Sequence, residues 1–291
     1  MFSGSLVAIA TPMRPDGALD AEAWLRLLDF HLQHGTSAVV VGGTTGESVT
    51  LTDAELHELV DAALKFLRGR IPVIAGAGTS STATTVERVR WLAQLRIDGL
   101  LVVTPAYNRP TQEGLYRHFT AVADAASVPV IVYNVPSRTA VDLLPGTVAR
   151  LSQLRRLTAV KEAVPSMERI RALVRDCREG FVVLSGDDAS AREAVAAGAR
   201  GVISVTANVA PRAMADMMAA ALRGDAGGAA AIDARLAALH RDLFVETSPI
   251  PVKWALAQMR LAGPTLRLPL TELTAAYHAT LRAALAEAAV L

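Results

Sequence analysis

Eight short apolar runs, rich in β-branched residues, recur along this chain and constrain its fold more than any other feature. They read "SLVAIA" (5–10), "SAVVVGG" (37–43), "IPVIAG" (71–76), "GLLVVTP" (99–105), "VPVIVYN" (128–134), "LTAVKE" (157–162), "FVVLSG" (181–186) and "GVISV" (201–205). Their starts lie 20 to 34 residues apart. Hydrophobic residues fill each run instead of alternating with polar ones, as in strands covered on both faces. The segments between them are amphipathic at helical spacing. In "TDAELHELVDAALKFLRG" (52–69), Thr52 is an N-cap candidate with Glu55 three residues on, and Gly69 stands at the far end. Buried parallel strands, each followed by a helix, predict an α/β fold. A closed (β/α)8 TIM barrel, usually of about 250 residues, suits eight such units in roughly 225. An open doubly wound sheet is the rival, disfavoured because no G-x-G-x-x-G follows the first run.

After "LRGDAGG" (222–228) no strand run returns. "AAAIDARLAALHRDLF", "PVKWALAQMRLA" and "TELTAAYHATLRAALAEAA" read as three helices. The chain therefore divides into a catalytic barrel over residues 1–224 and a helical C-terminal domain over 225–291, with Gly227 and Gly228 marking a soft boundary.

Composition narrows the function classes. The net charge of +1 supports no polyanion-binding role, and no basic stretch alternates with aromatics as a nucleic-acid site requires. The lone cysteine, Cys177, excludes an internal disulfide and fits a reducing compartment. Apolar runs of about 4–8 residues fall far short of the roughly 20 of a membrane span. The start, "MFSGSLVAIATPM", has no charged n-region of a secretory signal. A soluble cytoplasmic protein is the expectation.

In barrels of this kind the site forms at the carboxyl ends of the strands, and the unusual residues gather there. "GGTTGES" (42–48) ends the second strand, "TPAYNRP" (104–110) the fourth and "YNVPSRTA" (133–140) the fifth. Lys161 lies in the sixth, "SGDD" (185–188) ends the seventh and "ISVTAN" (203–208) the eighth. "GGTTGES" is either a tight turn with a helix cap or a set of free N–H groups and hydroxyls before a helix. It lacks the Gly-Lys of a nucleotide loop, so a small carboxylate suits it better. Tyr107 and Tyr133 are two of only four tyrosines. Either alone is more often a core or interface residue. Arg138 is a surface arginine or, in a barrel mouth, a fork for a substrate carboxylate. The six histidines fall on predicted helices, which argues against a metal site. Asp187 and Asp188 read as N-caps of the next helix.

Lys161 is the most informative residue. Only three of the 29 basic residues are lysines, Lys65, Lys161 and Lys253. Where a generic positive charge serves, the chain uses arginine. Lys161 is nevertheless a lysine, in an apolar strand. An ion pair with Glu162 is one explanation, but adjacent strand residues point to opposite faces. The alternative is chemical: desolvation disfavours the ammonium and leaves free amine to attack a carbonyl, which arginine cannot do. Lys65 falls on an exposed helix face and Lys253 on the C-terminal segment.

Taken together, "MFSGSLVAIATPM", "GTTGES", "RIPVIAGAG", "TPAYNRPTQEGLYRHF", "YNVPSRT", "KEA", "LSGDDAS", "GVISVTANVAPR" and "FVETSPIPVKWAL" resemble the dihydrodipicolinate synthase family. This is a branch of the pyruvate-dependent class I aldolase/N-acetylneuraminate lyase superfamily. The resemblance runs from the first residue to the last. It implies a lyase of lysine and diaminopimelate biosynthesis that condenses pyruvate with L-aspartate 4-semialdehyde through a Schiff base on Lys161. No other cofactor is implied. On the matching positions, Tyr133 would be the general acid/base, with Thr44 relaying its proton toward Tyr107. Thr45 would hold the pyruvate carboxylate, the carbonyls of Gly186 and Ile203 would line the pocket, and Arg138 would bind the semialdehyde's carboxylate. Tyr107 would cross a tight-dimer interface in a homotetramer, a dimer of dimers. "PSRT" separates this family from its sialic-acid and keto-deoxy-sugar-acid relatives, which act on longer keto acids and lack it.

Two departures accompany the resemblance. Ala140 stands where glycine is usual, a change to be tolerated unless the position needs a positive φ. In the cleft where lysine-inhibited members bind lysine, Ser48 matches and Val49 replaces an alanine. There, too, Asp53 and Leu56 replace histidines, Ser80 an asparagine, Thr84 a glutamate and Ala106 a tyrosine. A desolvated ammonium needs anionic or amide partners, so feedback inhibition by lysine is expected to be weak or absent.

Overall fold

The computed structural model describes residues 2–291. Eight strands, β1 (Gly4–Ala8), β2 (Ala38–Val41), β3 (Val73–Gly76), β4 (Gly99–Val103), β5 (Val130–Asn134), β6 (Leu157–Glu162), β7 (Val182–Ser185) and β8 (Gly201–Ser204), close in sequence order into a barrel. Every ladder is parallel, including the closing β1–β8 pair. This is the (β/α)8 TIM barrel the apolar runs imply.

The residue period of two sorts each strand between two cores. Leu6, Ala8, Val40, Ile74, Ile131, Ala159, Leu184 and Ile203 fill the barrel interior. Val7, Val39, Val73, Val102, Val132 and Val160 face the helices instead. Both faces are thus apolar, which is why the runs show no alternation.

Several ladders stop short of their apolar runs at the carboxyl end. At β2, Gly42 takes φ +64° and leaves the ladder. Past β4, Pro105 has no N–H to donate. The freed residues build the loops at the barrel mouth.

The helices follow their local signals. Asp53–Leu67 carries the reciprocal cap expected of Thr52 and Glu55, and it ends with Arg68 and Gly69 both left-handed, at φ +48° and +74°. At the C-terminal end, helices run over Ala226–Asp242, Ile250–Gln258 and His278–Glu287. Gly227 and Gly228 are not a linker. They lie in the first helical turn, where Asp225 caps the Gly228 N–H, and the chain reverses one residue earlier at Gly224, φ +81°. The third helix starts later than its sequence pattern, because Leu273 is buried and its carbonyl is bonded by His278. Leu236, Leu239, Leu256, Leu281 and Leu285 join the same core as the outer barrel residues. Among the described residues, no helix is long and apolar enough to cross a membrane.

Candidate active site

The β5–β6 ladder sets Tyr133 opposite Lys161 and, one step on, Asn134 opposite Glu162. Strand alternation turns the first pair into the barrel and the second pair outward. Lys161 is 5% exposed and Tyr133 6%. The Lys161 Nζ stands 4.2 Å from the centroid of the Tyr133 ring. Gly186 closes the other side. A Cβ there would come within 3.0 Å of Lys161 Cε and 2.9 Å of Ala163 Cβ, so only glycine leaves the amine its room. The Gly186 N–H donates to the Glu162 carbonyl at 2.7 Å, fixing β7 beside β6.

Among the described residues, Lys161 takes part in no salt bridge, because the nearby carboxylates are engaged elsewhere. Glu162 faces outward and accepts from Arg169 Nε at 2.7 Å, from the Val164 N–H at 2.9 Å and from Asn134 Nδ2. Arg169 also forks onto Asp142 at 2.7 and 2.9 Å. Burial works against the Arg169 charge, but Glu162 and Asp142 outweigh it and hold the guanidinium pKa above its ordinary value. This buried polar clamp ties the ends of β5 and β6 together directly behind Tyr133 and Lys161. Sequence reasoning set Glu162 aside as a partner for Lys161, correctly, but gave it no other place. Its side-chain partners, Arg169 and Asn134, are 7 and 28 residues away, with no local signature.

Lys253 shows that burial alone does not set Lys161 apart. Its side chain is 1% exposed, as is that of Glu47, with which it pairs at 2.5 Å. Burial lowers the Lys253 pKa from the usual lysine value, with Glu47 opposing. What distinguishes Lys161 is its burial without a salt bridge among the described residues.

The loop after β2 carries Thr44, half-buried, and Thr45, buried. It is not the N-terminus of the following helix, as the sequence suggested. That helix begins at Asp53, and residues 42–51 form their own turn, closed by Gly46 N–H to Gly43 carbonyl at 3.0 Å and Glu47 N–H to Thr44 carbonyl at 3.1 Å. Among the described residues the amides of Thr44 and Thr45 donate to no backbone carbonyl. The amides without a backbone partner thus belong to the turn itself and not to a helix end.

Arg138 lies in the Pro136–Thr139 turn and reaches the C-terminal segment, its Nη2 donating to the Ser248 carbonyl at 3.0 Å. Ala140 ends this turn at φ +57°, so the position does need a left-handed residue. Alanine there costs roughly 1–2 kcal/mol relative to an unstrained conformation. Ile203 is buried in the barrel interior on β8. Tyr107 is not brought to this site. Its side chain is 94% exposed and its backbone is held at φ +73°, a strained conformation for a bulky residue.

A cavity of about 540 Å³ is lined by Thr44, Val103, Val135, Arg138 and Ser248, together with Ser48, Val49, Ser80 and Ala106; Lys161 and Tyr133 are not among its lining residues. Of the other expected effector-cleft positions, Leu56 is buried in the core and Thr84 is exposed on a first helical turn. Asp53 is paired with Arg88 at 2.6 Å. All six histidines lie on helices or at a helix end, and none is among the residues lining this cavity. Neither aspartate is the N-cap of the next helix: that position is Ser190, whose N–H donates to Asp187 at 3.0 Å, and Asp188 bonds elsewhere. Its Oδ2 accepts from the Val205 and Thr206 N–H groups, both at 2.9 Å, bracing the end of β8.

An amine and a phenol enclosed at the carboxyl-end mouth of a parallel eight-stranded barrel define an enzyme of the lyase-bearing (β/α)8 class. The chain belongs to the Dihydrodipicolinate synthetase family, whose model matches residues 1–288. It is 55% identical to the 4-hydroxy-tetrahydrodipicolinate synthase of Alkalilimnicola ehrlichii over 285 residues, 98% of each chain. It is 50% identical to the enzyme of that name from Methylococcus capsulatus over the whole of both chains. Among solved structures, the chloride-inhibited dihydrodipicolinate synthase of Acinetobacter baumannii complexed with pyruvate matches with a TM-score of 0.98. It is 43% identical, and all of both chains is covered. The Thermotoga maritima dihydrodipicolinate synthase gives the same TM-score at 42% identity, again over all of both chains.

Proposed function

We propose that this chain is a 4-hydroxy-tetrahydrodipicolinate synthase, condensing pyruvate with L-aspartate 4-semialdehyde at the start of lysine and diaminopimelate biosynthesis in the cytoplasm. The observation that carries the reading is Lys161: a buried amine against the Tyr133 ring, with no salt bridge among the described residues, at the strand ends where a cavity has Arg138 in its wall.

The amine of Lys161 attacks the keto carbon of pyruvate, and loss of water leaves an imine. Removal of a proton from the pyruvate methyl group gives an enamine, whose carbon attacks the aldehyde of the semialdehyde. The semialdehyde's own amine then displaces Lys161, closing the ring and freeing the enzyme. No other cofactor takes part. Tyr133 is the general acid/base beside the imine, moving protons as water is lost and as the new hydroxyl forms. Thr44 relays them outward toward Tyr107. Thr45, with its buried hydroxyl and free amide, holds the pyruvate carboxylate, and the carbonyls of Gly186 and Ile203 line the pocket. Arg138 binds the carboxylate of the second substrate, already oriented by its bond to Ser248.

The exposure and strained backbone of Tyr107 fit a side chain that completes the relay of a second copy. The working form is then a dimer at least, and a tetramer by likeness to the family. Among the cleft residues that lysine-inhibited members use, this chain offers no acidic or amide group along the cavity at Ser80 and Ala106, and Asp53 is already paired. Lysine is therefore a poor ligand here.

The test is direct. Purified protein given pyruvate and L-aspartate semialdehyde forms the cyclic product, detectable by coupling to its reduction. Turnover of sialic acid with none of the semialdehyde would refute the assignment.

A further inference from the structure

The loop that carries Thr44 and Thr45 is held by residues more than 200 positions away in the sequence. Glu47, two residues after Thr45, is fully buried and sits at φ +55°, a conformation that side chains rarely adopt. Its Oε1 accepts from Lys253 Nζ and its Oε2 from the Arg267 N–H at 3.1 Å. The Arg267 guanidinium continues the grip, donating to the Thr50 carbonyl at 2.7 Å, to the Gly17 carbonyl at 2.9 Å and to Glu55. From the barrel side, Thr11 Oγ1 donates to the Gly46 carbonyl at 2.8 Å. A Cβ at Gly46 would meet the Ile9 carbonyl oxygen at 3.1 Å, so the turn has no slack.

A buried ion pair is weak evidence for stability, since apolar residues of similar volume often serve as well. What an ion pair supplies that packing does not is direction. Here the directed bonds converge on one turn, and that turn holds Thr44, assigned to the proton relay, and Thr45, assigned to the pyruvate carboxylate. Lys253 also neutralises a buried carboxylate that would otherwise stand close to an incoming carboxylate in a medium of low dielectric.

We infer that Glu47, Lys253 and Arg267 are positioning residues through which the C-terminal segment, 225–291, sets the shape of the Thr44–Thr45 turn and hence the affinity for the keto acid's carboxylate. The inference rests on the proposed role of that turn. The C-terminal helices are thereby part of the binding machinery, although they contribute no group that touches pyruvate.

The experiment uses the full-length protein and two readouts. One is the pyruvate concentration that gives half-maximal trapping by borohydride; the other is the pair of KM values in steady state. Glu47→Gln, Lys253→Met and the charge-free double variant are compared with Thr45→Val, and folding is followed by circular dichroism. Expected is a rise of about tenfold or more in the half-saturating pyruvate for all three, because small misplacements of binding groups are costly. The KM for semialdehyde should stay within roughly threefold, and trapping at saturating pyruvate should still go to completion. A purely structural pair would lower the melting temperature and leave the pyruvate dependence unchanged, which would overturn the inference. So would failure of even the double variant to fold, since the pair would then be a requirement of folding itself. If Thr45→Val leaves pyruvate binding intact, the reading of the turn is what has failed, and the inference falls with it.

Discussion

Lys161 and Tyr133 are direct neighbours in the β5–β6 ladder, with the amine 4.2 Å from the centre of the phenol ring. Adjacent strands thus fix the separation of the proposed nucleophile and proton carrier through backbone hydrogen bonds, without relying on side-chain contacts. Behind them the Asn134–Glu162–Arg169–Asp142 clamp holds the same two strand ends together.

Tyr133→Phe keeps the ring and removes the hydroxyl. General acid/base groups typically contribute 10²–10⁴-fold, so kcat should fall by roughly that factor while the melting temperature shifts little. Steady-state kinetics and a thermal melt check both halves.

Arg138→Ala should separate the two substrates. The kcat/KM for the semialdehyde should drop by about 10²-fold or more, since a charge-assisted fork onto a carboxylate is lost. Borohydride trapping with pyruvate should survive. Loss of trapping as well would place Arg138 on the first substrate.

Lysine should inhibit weakly or not at all. Initial rates with lysine from micromolar to low millimolar are expected to stay above half of the uninhibited rate. Half-maximal inhibition in that range would show that Arg88, Asp53 and Ser80 accommodate an ammonium in spite of their chemistry.

Stability should decline on mild acidification. Burial lowers the His31 pKa from 6.5 to about 3, with a smaller contribution from the charge of His34, and burial alone takes His118 to about 4. The folded chain therefore binds fewer protons than the unfolded chain below pH 6.5. Stability from these groups is fully present above 6.5 and is lost as pH falls toward the folded values. The slope is about 1.4 kcal/mol per pH unit for each group. Urea titrations between pH 7 and 4 should show that slope, flattened in a His31→Gln/His118→Gln variant. An unchanged slope would contradict it.

The barrel was legible in the sequence because both faces of every strand are apolar, and that pattern admits few folds. Lys161 stood out because the chain uses lysine so sparingly. The grip of Lys253 and Arg267 on the Glu47 turn was not legible, since 206 and 220 residues separate the partners and no local spacing encodes the contact. Ala140 illustrates the same limit: only the backbone shows that its position is left-handed. The N-caps were half legible. Thr52 caps where its spacing says, whereas Asp188 bonds across to β8, because tertiary geometry decides which amides a buried carboxylate meets.

The central claim is that Lys161 carries the covalent step. Borohydride reduction in the presence of pyruvate, followed by peptide mass mapping, should find one stoichiometric adduct, on the peptide containing Lys161. None should form in Lys161→Ala, or when pyruvate is omitted. An adduct on Lys65 or Lys253, or its absence from a folded protein that still turns over both substrates, would contradict the account.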